Sequence, residues 1–510
     1  MSTMSNPARY GGWQREKSGW FGELSGPGFV LVATALVTLL VPLHQRSLFT
    51  MAVFLPISAL LLALAYGRVL GLTADEWALL AIRHQIATAR RQHMFLSGIF
   101  APVNRKTGAQ PMDLPGPLAR LRILDAPDGL SGRLGVAHDP ASGTYTAVLR
   151  VTYPGLALVD PDRQESRVAG WAAVLRSLCT EDGAITRIGV HQRCLPDDGA
   201  ALDAWTARNT AADAPREAVQ ALEELMHGAG PASAARETYV SLTLSASRAR
   251  LAIKGAGGGQ VGACAVLVRE VLSIEQLLAG AGLTVVDRLT PRGVAAVIRT
   301  GYDPEEQLAV AARAAAAQDP AWQGTPPGVD PDLAGPAAAE NSWGVYRHDG
   351  AWTVSYQIRG LPRSDVFATV LQPLLRPRVN ARRCLTMVYE PLGPRVARRA
   401  LSQERTKRET ARQLRAKTGR MESEDERREV QTAREQDIAR ASGEGVVRMT
   451  VMLAVTVTDQ EQLETACAEL QADAAGAGLE IRRMWGAQDS GFAAAALPLA
   501  LGLPDRRGMF

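Results

Sequence analysis

The chain has 510 residues, and its 56 basic and 52 acidic side chains leave a net charge of only +4. This near-balance excludes proteins that coat a polyanion through a uniform excess of positive charge. The length allows two to four domains of the usual size, roughly 100–200 residues. The five cysteines form no CxxC pair and the histidines form no HExxH pair, so the sequence predicts neither a metal site nor a disulfide framework.

Two uncharged apolar runs, residues 26–43 and 48–67, follow a polar leader of residues 1–25. Each run is close to the roughly 20 residues that a helix needs to cross a bilayer. Only residues 44–47 lie between the runs, so the sequence predicts a transmembrane hairpin over residues 26–67. A signal peptide is disfavoured, because the leader contains Glu16 and Glu23 and lacks a small-residue cleavage site.

Basic residues flank the hairpin on both sides, whereas its turn contains Arg46 alone. The flanking residues are Arg9, Arg15, Lys17, Arg68, Arg83, Arg90 and Arg91. Positive charge remains on the cytoplasmic side of a membrane, so both termini and the bulk of the chain are predicted to be cytoplasmic. No charge lies within either run, which favours an anchor over a pore.

The cytoplasmic part shows one order of elements twice. After a juxtamembrane helix and linker, residues 68–117, the two halves are residues 118–308 and 343–510, and an Ala/Pro/Gly-rich linker, residues 309–342, separates them. Each half is predicted as strand–helix–strand, a helical insertion, and strand–helix–strand, which is the ferredoxin-like pattern. The predicted elements include helices over residues 261–281 and 363–375 and a strand over residues 446–457. The predicted fold class is therefore α+β, a two-helix transmembrane hairpin followed by two ferredoxin-like cytoplasmic units.

The insertion of the second half, residues 395–440, divides by charge. Residues 395–420, the basic arm, contain ten basic side chains and two acidic ones, whereas residues 421–440, the acidic arm, contain seven acids and four arginines. This division predicts two helical arms in an antiparallel hairpin. A solvated arm without a partner is one interpretation. The other is that the basic arm binds an acidic partner, anionic lipid or nucleic acid through Arg405, Arg408, Arg412 and Arg415.

No motif for catalysis has its required context. Gly257, Gly259 and Gly262 spell GxGxxG, but about ten residues separate them from the preceding predicted strand, and a dinucleotide site needs them directly after it. A P-loop is missing, since Lys417-Thr418 lacks the preceding glycine and strand. The sequence therefore predicts no catalytic residue, no cofactor and no metal ligand.

Two histidine–aspartate pairs, at residues 138–139 and 348–349, lie in predicted turns without a nucleophile motif. The aspartates are explained by turn chemistry, so we interpret both pairs as structural.

The C-terminal end carries the most specific pattern. After the last predicted strand come Gln488, Gly491 and Phe492, and then Leu497-Pro498-Leu499. This order resembles the "Q..GF…LPLG" junction at which the non-motor N-terminal half of VirB-type type IV secretion ATPases ends. At the other end, Tyr10-Gly11-Gly12-Trp13 before a two-helix hairpin is similar to a family of actinobacterial membrane proteins from conjugative elements. In that family a VirB-type two-helix membrane subunit is joined to the ATPase-like region without its motor.

The resemblance implies a non-enzymatic scaffold in the bacterial inner (cytoplasmic) membrane, part of a conjugative type IV secretion-like machine. Its implied partners are a separate motor ATPase and other membrane subunits, and a homo-oligomer stays open. The candidate contacts are the C-terminal pattern and the four arginines of the basic arm. Three alternatives remain: a membrane subunit of a type VII secretion system, a membrane-bound nucleotide-dependent enzyme that uses the Gly257 loop, and direct DNA contact by the basic arm.

Overall fold

A computed structural model describes most of the chain. The described residues are 26–45, 48–69, 72–101, 113–153, 155, 159–195, 206, 209–211, 213–229, 235–317, 322–362, 365–376, 378, 381–417, 431, 438 and 443–503. The predicted leader, and the acidic arm apart from Gln431 and Ile438, lie outside these residues.

The chain begins with a helical hairpin, formed by α1 (Gly26–Gln45) and α2 (Leu48–Tyr66). Two short strands, β1 (Arg68–Val69) and β2 (Leu72–Thr73), then pair with each other and lead into α3 (Ala74–Ala89). The predicted hairpin helices therefore form where the apolar runs place them.

All of the later described strands belong to one antiparallel sheet of 13 strands. In chain order the strands are β3 (Met94–Leu96), β4 (Arg122–Pro127), β5 (Arg133–Asp139), β6 (Thr144–Thr152), β7 (Ile185–Leu195), β8 (Ala235–Ser245), β9 (Thr284–Arg288), β10 (Ala338–Asn341), β11 (Tyr346–His348), β12 (Ala351–Gly360), β13 (Arg382–Leu392), β14 (Val446–Val457) and β15 (Glu480–Arg483). Their order across the sheet is β3-β10-β11-β12-β14-β13-β7-β8-β6-β5-β4, with β15 beside β12 and β9 beside β6.

Helices cover both faces of this sheet. The remaining described helices are α4 (Pro161–Leu178), α5 (Arg216–Ala229), α6 (Arg250–Gly255), α7 (Gly259–Gly280), α8 (Pro291–Tyr302), α9 (Glu306–Ala316), α10 (Pro394–Lys417), α11 (Leu463–Gly476) and α12 (Gln488–Ala495). On one face α4 and α7 bury the aliphatic side chains of the first half, and α11 buries those of the second half. On the other face α8 and α12 share a single core.

The mixed α and β content agrees with the predicted class, but the two halves are not separate sheets. Strands β7 and β13 pair from Ile188 opposite Tyr389 to Cys194 opposite Arg383, and this seam joins the halves into one sheet. Each strand would otherwise expose unpaired backbone groups at a sheet edge, and pairing removes both edges together. The sequence could not reveal the seam, because an edge strand and a central strand share the same alternating pattern.

Other elements also differ from the prediction. The expected helix over residues 363–375 is only a short 3₁₀ turn, Gln372–Leu375, in the described part of that stretch. The juxtamembrane helix, predicted over residues 73–96, ends at Ala89, and the end of that stretch is instead the strand β3. Strand β3 pairs with β10, which lies at the end of the predicted Ala/Pro/Gly-rich linker. The hairpins β4–β5 and β10–β11, and the helix α8, were not anticipated. Thr290 before Pro291 was an available signal for α8, because the Thr290 side chain caps the helix by accepting from the Gly293 amide at 3.1 Å.

Candidate functional site: the anchor, the seam and the arm

The hairpin of α1 and α2 is apolar outside and carries small or hydroxyl residues where its helices meet. Ala35, Ser58 and Ala65 are buried between the helices. The Thr38 and Ser58 hydroxyls lie 2.9 Å apart, and Ser58 also lies 2.9 Å from the Phe54 carbonyl, to which it can donate. Small residues let helices approach closely in lipid, and paired hydroxyls leave no unsatisfied group there.

The outer surface of the hairpin consists of exposed large aliphatic and aromatic side chains. Phe49, Leu60 and Val30 are each more than 60% exposed. Within the described residues, one helical segment is long and apolar enough to cross a membrane by length and composition, Phe49–Tyr66, and Gly28–Leu40 is a shorter apolar helix. The two predicted spans therefore differ, since only the second meets the length of a span in the described residues.

An aromatic cluster, Trp77, Trp343 and Trp485, connects the hairpin to the sheet. The ring centroids of Trp77 and Trp343 are 5.7 Å apart, and Trp343 stacks on Trp485 at 6.4 Å. His84 lies two helical turns after Trp77 on α3, and its ring centroid is 5.3 Å from that of Trp343. The Arg483 guanidinium lies 4.9 Å from the Trp485 ring. Together with the pairing of β3 and β10, these contacts fix α3 to the second half of the sheet.

The C-terminal segment, residues 488–503, lies inside the protein. Gln488, Gly491, Phe492, Leu497, Pro498 and Leu499 are all buried. The Gln488 side-chain oxygen accepts a hydrogen bond from the Ser355 amide at 2.8 Å. Glycine is required at position 491, since a Cβ there would lie 2.7 Å from the Ser355 Cβ. The structure thus brings these six predicted residues together, but on the sheet of their own chain.

Phe492 lies at the centre of an aromatic group formed by Tyr302, Tyr346 and His348. Its ring centroid is 4.8 Å from that of Tyr302, 5.2 Å from that of Tyr346 and 4.6 Å from that of His348. Tyr302 belongs to the first half and the other three to the second. Phe492 therefore packs across the boundary between the halves.

The C-terminal segment also crosses the seam. The Thr386 hydroxyl, on β13, donates to the Ala495 carbonyl at 2.8 Å, and Arg187, on β7, donates to the Ala500 carbonyl at 3.2 Å. A Cβ at Gly189 would lie 3.6 Å from that of Ala500. The segment therefore holds the halves together. In this conformation the apolar side chains of the segment are enclosed by its own chain, and a contact with another protein through these residues stays a prediction.

A buried charge cluster lies beside the seam, at one end of β7 and β13. Arg193 pairs with Glu237 at 2.5 Å and donates to the Thr300 hydroxyl at 3.1 Å, and Arg382 donates to the Thr300 carbonyl. Burial alone would raise the pKa of Glu237, but the charge and hydrogen bond of Arg193 hold it below its usual range. Burial and the charge of Arg193 lower the pKa of Arg382 to about 10. The cluster was not anticipated from the sequence.

Two histidines of the interior are neutral and structural. His348 lies 2.5 Å from the Tyr302 carbonyl through Nδ1 and 2.7 Å from the Thr353 hydroxyl through Nε2, while burial lowers its pKa to about 4. His191 lies 2.7 Å from the Thr386 hydroxyl, and burial lowers its pKa to about 3. Neither histidine is placed to exchange protons with solvent.

The two histidine–aspartate pairs occupy corresponding hairpin turns, at the ends of β5 and β11. Asp139 accepts from the Ala141 amide at 2.9 Å and from the Ser142 hydroxyl at 2.6 Å. Asp349 accepts from the Ala337 amide at 2.8 Å and from Arg299 at 2.9 Å. These contacts fit the structural interpretation, because both carboxylates are engaged in holding local backbone.

The glycine-rich stretch forms the corner between α6 and α7. Gly257, Gly258 and Gly259 all have positive φ, and a Cβ at any of them would meet no atom within 4 Å. Gly262 differs, since a Cβ there would clash with the Ile253 carbonyl and so prevent the two helices from packing. The first three glycines are needed for the turn and the last for close helix packing.

The basic arm is helical up to Lys417. Its helix, α10, starts beside the seam, where the Arg395 amide donates to Glu181 at 2.5 Å and Ala397 is buried. Over Pro394–Lys417 the sequence contains nine basic residues and two acidic ones. Arg405 is exposed. Arg408, Arg412 and Arg415 lie on the same helix, and their side chains lie outside the described residues.

Metal and thiol chemistry finds no grouping of ligands in the described part of the chain. No three His, Cys, Asp or Glu side chains lie together there in a way that could hold a metal ion. All five cysteines are free thiols, and burial raises the pKa of Cys384 to about 11. Comparison of the sequence with protein-family models and with curated proteins found no match.

Proposed function

We propose that this protein is a non-enzymatic membrane scaffold of a conjugative type IV secretion-like machine, and that it recruits a separate motor ATPase. The observation that carries the proposal is the direct connection of an apolar helical hairpin to a large sheet through α3 and the aromatic cluster. A scaffold needs this connection, because the membrane anchor must hold the partner-binding cytoplasmic part at a fixed position relative to the membrane. In this proposal α1 and α2 anchor the chain in the inner membrane with both termini in the cytoplasm.

The finer fold assignment belongs to the same proposal. Each half is a ferredoxin-like unit. Its four strands, numbered in chain order within the unit, lie side by side in the order 4-1-3-2. The orders β9-β6-β8-β7 and β15-β12-β14-β13 support this assignment. The two units then meet through their second strands at the seam.

The basic arm is the proposed contact for the motor. The C-terminal segment is enclosed by its own chain, whereas α10 lies in the long connection between β13 and β14 and carries a strong excess of positive charge. An acidic surface on the partner would be attracted to this helix, and the attraction would weaken with salt. The resemblance to ATPase regions that lie next to a motor makes the motor the proposed partner.

Purification of the full-length protein from its native membrane, after chemical crosslinking, tests the proposal. Recovery of a VirB-type ATPase with other conjugation subunits is the expected result. Recovery of a type VII motor would replace the machine with the alternative one, and recovery of no ATPase would overturn the scaffold function.

A matched pair of charge reversals tests the contact itself. Arg408→Glu with Arg412→Glu and Arg415→Glu should reduce the recovered ATPase several-fold. The control carries Arg163→Glu, Arg216→Glu and Arg250→Glu, whose parent side chains are exposed on other helices. Equal loss in both variants would show that net charge alone matters and would remove the arm as the contact.

A further inference from the structure

The helix that follows the hairpin, α3, has one face that packs against the rest of the protein and an opposite face that is exposed. Its inner stripe contains Trp77 and His84, which pack against Trp343, together with the half-buried Leu80, Ala81 and Ala87. These positions recur at helical spacing and account for how α3 binds the sheet and the hairpin.

The outer stripe of α3, Leu79, Ile82 and Ile86, recurs at the same spacing on the opposite side of the helix. Their side chains are 52%, 56% and 47% exposed. Three large aliphatic side chains aligned over two turns form an apolar ridge that nothing in the described part of the chain covers. A ridge of this kind usually marks a contact with another apolar phase or another protein.

The position of α3 next to the hairpin indicates which of these it contacts. The Ala74 amide, at the start of α3, donates to the carbonyl of Gly67, the residue directly after α2, at 2.8 Å, so the start of α3 is held at the end of α2. The helix also packs against both α1 and α2. Arg83 and Arg90 border the outer stripe on one side, and both are exposed. Aliphatic residues bordered by arginines are the composition of a helix that lies in the interface of an anionic bilayer.

We propose that α3 lies in the bilayer interface, with Leu79, Ile82 and Ile86 among the acyl chains and with Arg83 and Arg90 against anionic phospholipid headgroups. This inference rests on the proposed membrane anchor and deepens it. The hairpin sets the position of the protein in the bilayer, and α3 sets the tilt of the sheet over the surface. At 16 residues, α3 would extend this contact over about 24 Å.

Spin labelling of the full-length protein in nanodiscs of phosphatidylcholine and phosphatidylglycerol tests this inference. A label at Ile82→Cys is compared with labels at Leu60→Cys, on the outer surface of the hairpin, and at Leu251→Cys, an exposed aliphatic position on α6. Cys179→Ser is the background, since the other four cysteines are buried. Accessibility to oxygen, which concentrates in lipid, is divided by accessibility to a water-soluble nickel chelate.

The ratio of oxygen to nickel accessibility should be highest for Leu60→Cys and lowest for Leu251→Cys. For Ile82→Cys it should lie between the two, several-fold above the Leu251→Cys value. A water-like ratio at Ile82→Cys with a lipid-like ratio at Leu60→Cys would overturn the inference and leave the anchor intact. Low accessibility of Ile82→Cys to both reagents would also overturn it, because a protein surface would then cover the stripe. A water-like ratio at Leu60→Cys would instead overturn the anchor.

The headgroup contact has its own readout. In nanodiscs of phosphatidylcholine alone, the Ile82→Cys ratio should fall, and Arg83→Gln with Arg90→Gln should produce the same fall in the anionic nanodiscs. An unchanged ratio in both experiments would overturn the role of anionic lipid.

Discussion

Gly301 faces Leu497 in the interior, so closely that a Cβ at position 301 would lie 2.5 Å from the Cδ2 atom of Leu497. Gly301 belongs to α8 of the first half, and Leu497 to the C-terminal segment of the second. Leu497 has no exposed surface and lies within a close-packed core. The two halves are therefore in close contact at Gly301 and Leu497, where no space is left for an additional methyl group.

Gly301→Ala should destabilise the protein by about 1–3 kcal/mol, because the added methyl group overpacks a core that cannot yield freely. Chemical denaturation in detergent measures the change. Gly255→Ala is the matched control, since a Cβ at that helical position would meet no atom within 4 Å. The double variant Gly301→Ala with Leu497→Ala should lose less stability than the sum of the losses in the two single variants, because truncating Leu497 removes the clash. Equal effects of Gly301→Ala and Gly255→Ala would contradict the close approach.

Gln488→Leu should lower the free energy of unfolding by about 1–3 kcal/mol, because it leaves the buried Ser355 amide without its acceptor. Gln260→Leu, at an exposed position of α7, should change stability by no more than about 0.5 kcal/mol. Thermal unfolding of both variants under one set of conditions compares them. A Gln488→Leu protein as stable as the control would show that another group satisfies the Ser355 amide.

Acid should weaken the fold through its buried histidines. Because burial lowers the pKa of His348 to about 4 from a usual value of 6.5, the unfolded chain binds a proton before the folded one does. The stability from neutral His348 is fully present above pH 6.5 and is lost as the pH falls towards 4. The slope for one such group reaches about 1.4 kcal/mol per pH unit.

His348→Gln removes this contribution. The variant should be less stable than the native protein at pH 7, since it disturbs the contacts with Tyr302 and Thr353, but its stability should fall less steeply between pH 6.5 and 4. Denaturation curves at several pH values measure the two slopes. Identical slopes would mean that His348 does not titrate with unfolding.

Trp343→Ala should loosen α3 from the sheet while leaving the sheet folded. The change removes the ring that contacts Trp77, His84 and Trp485, whereas the pairs among β12, β13 and β14 do not depend on it. Hydrogen exchange should accelerate in residues 74–89 and stay slow in residues 446–457. Trp322→Ala, at a half-exposed ring, is the control and should alter neither segment. Slow exchange in α3 of the Trp343→Ala protein would show that the pairing of β3 with β10 and the packing of α3 on the hairpin hold the helix without the aromatic cluster.

Long elements with a single clear period were predictable from sequence. The strand expected over residues 446–457 is β14 with the same bounds, and the helix expected over residues 261–281 is α7, Gly259–Gly280. Short elements were not, because β10 and β11 have only four and three residues and their pairing depends on β3 from a distant part of the chain.

For the candidate site, too, local sequence patterns predicted some features, whereas others depend on contacts between distant parts of the chain. The apolar character of Phe492 and Leu497 indicated burial, but whether their own chain or a partner covers them depends on the path of the C-terminal segment across β12 to β7. The seam cluster of Arg193, Glu237 and Arg382 arises only when strands from both halves come together. No local spacing in the sequence marks such a cluster.

The antiparallel pairing of β7 with β13 gives the sheet an approximate local dyad, so one polypeptide has the layout of a homodimer whose subunits have been fused. A true homodimer must present every surface twice. Here the two sides differ: β10 carries β3 and the attached hairpin, whereas β4, the strand at the other end of the sheet, bears Arg122, Asp125 and Pro127. This asymmetry at the two ends gives each molecule one side that bears the apolar hairpin and one distinct opposite side.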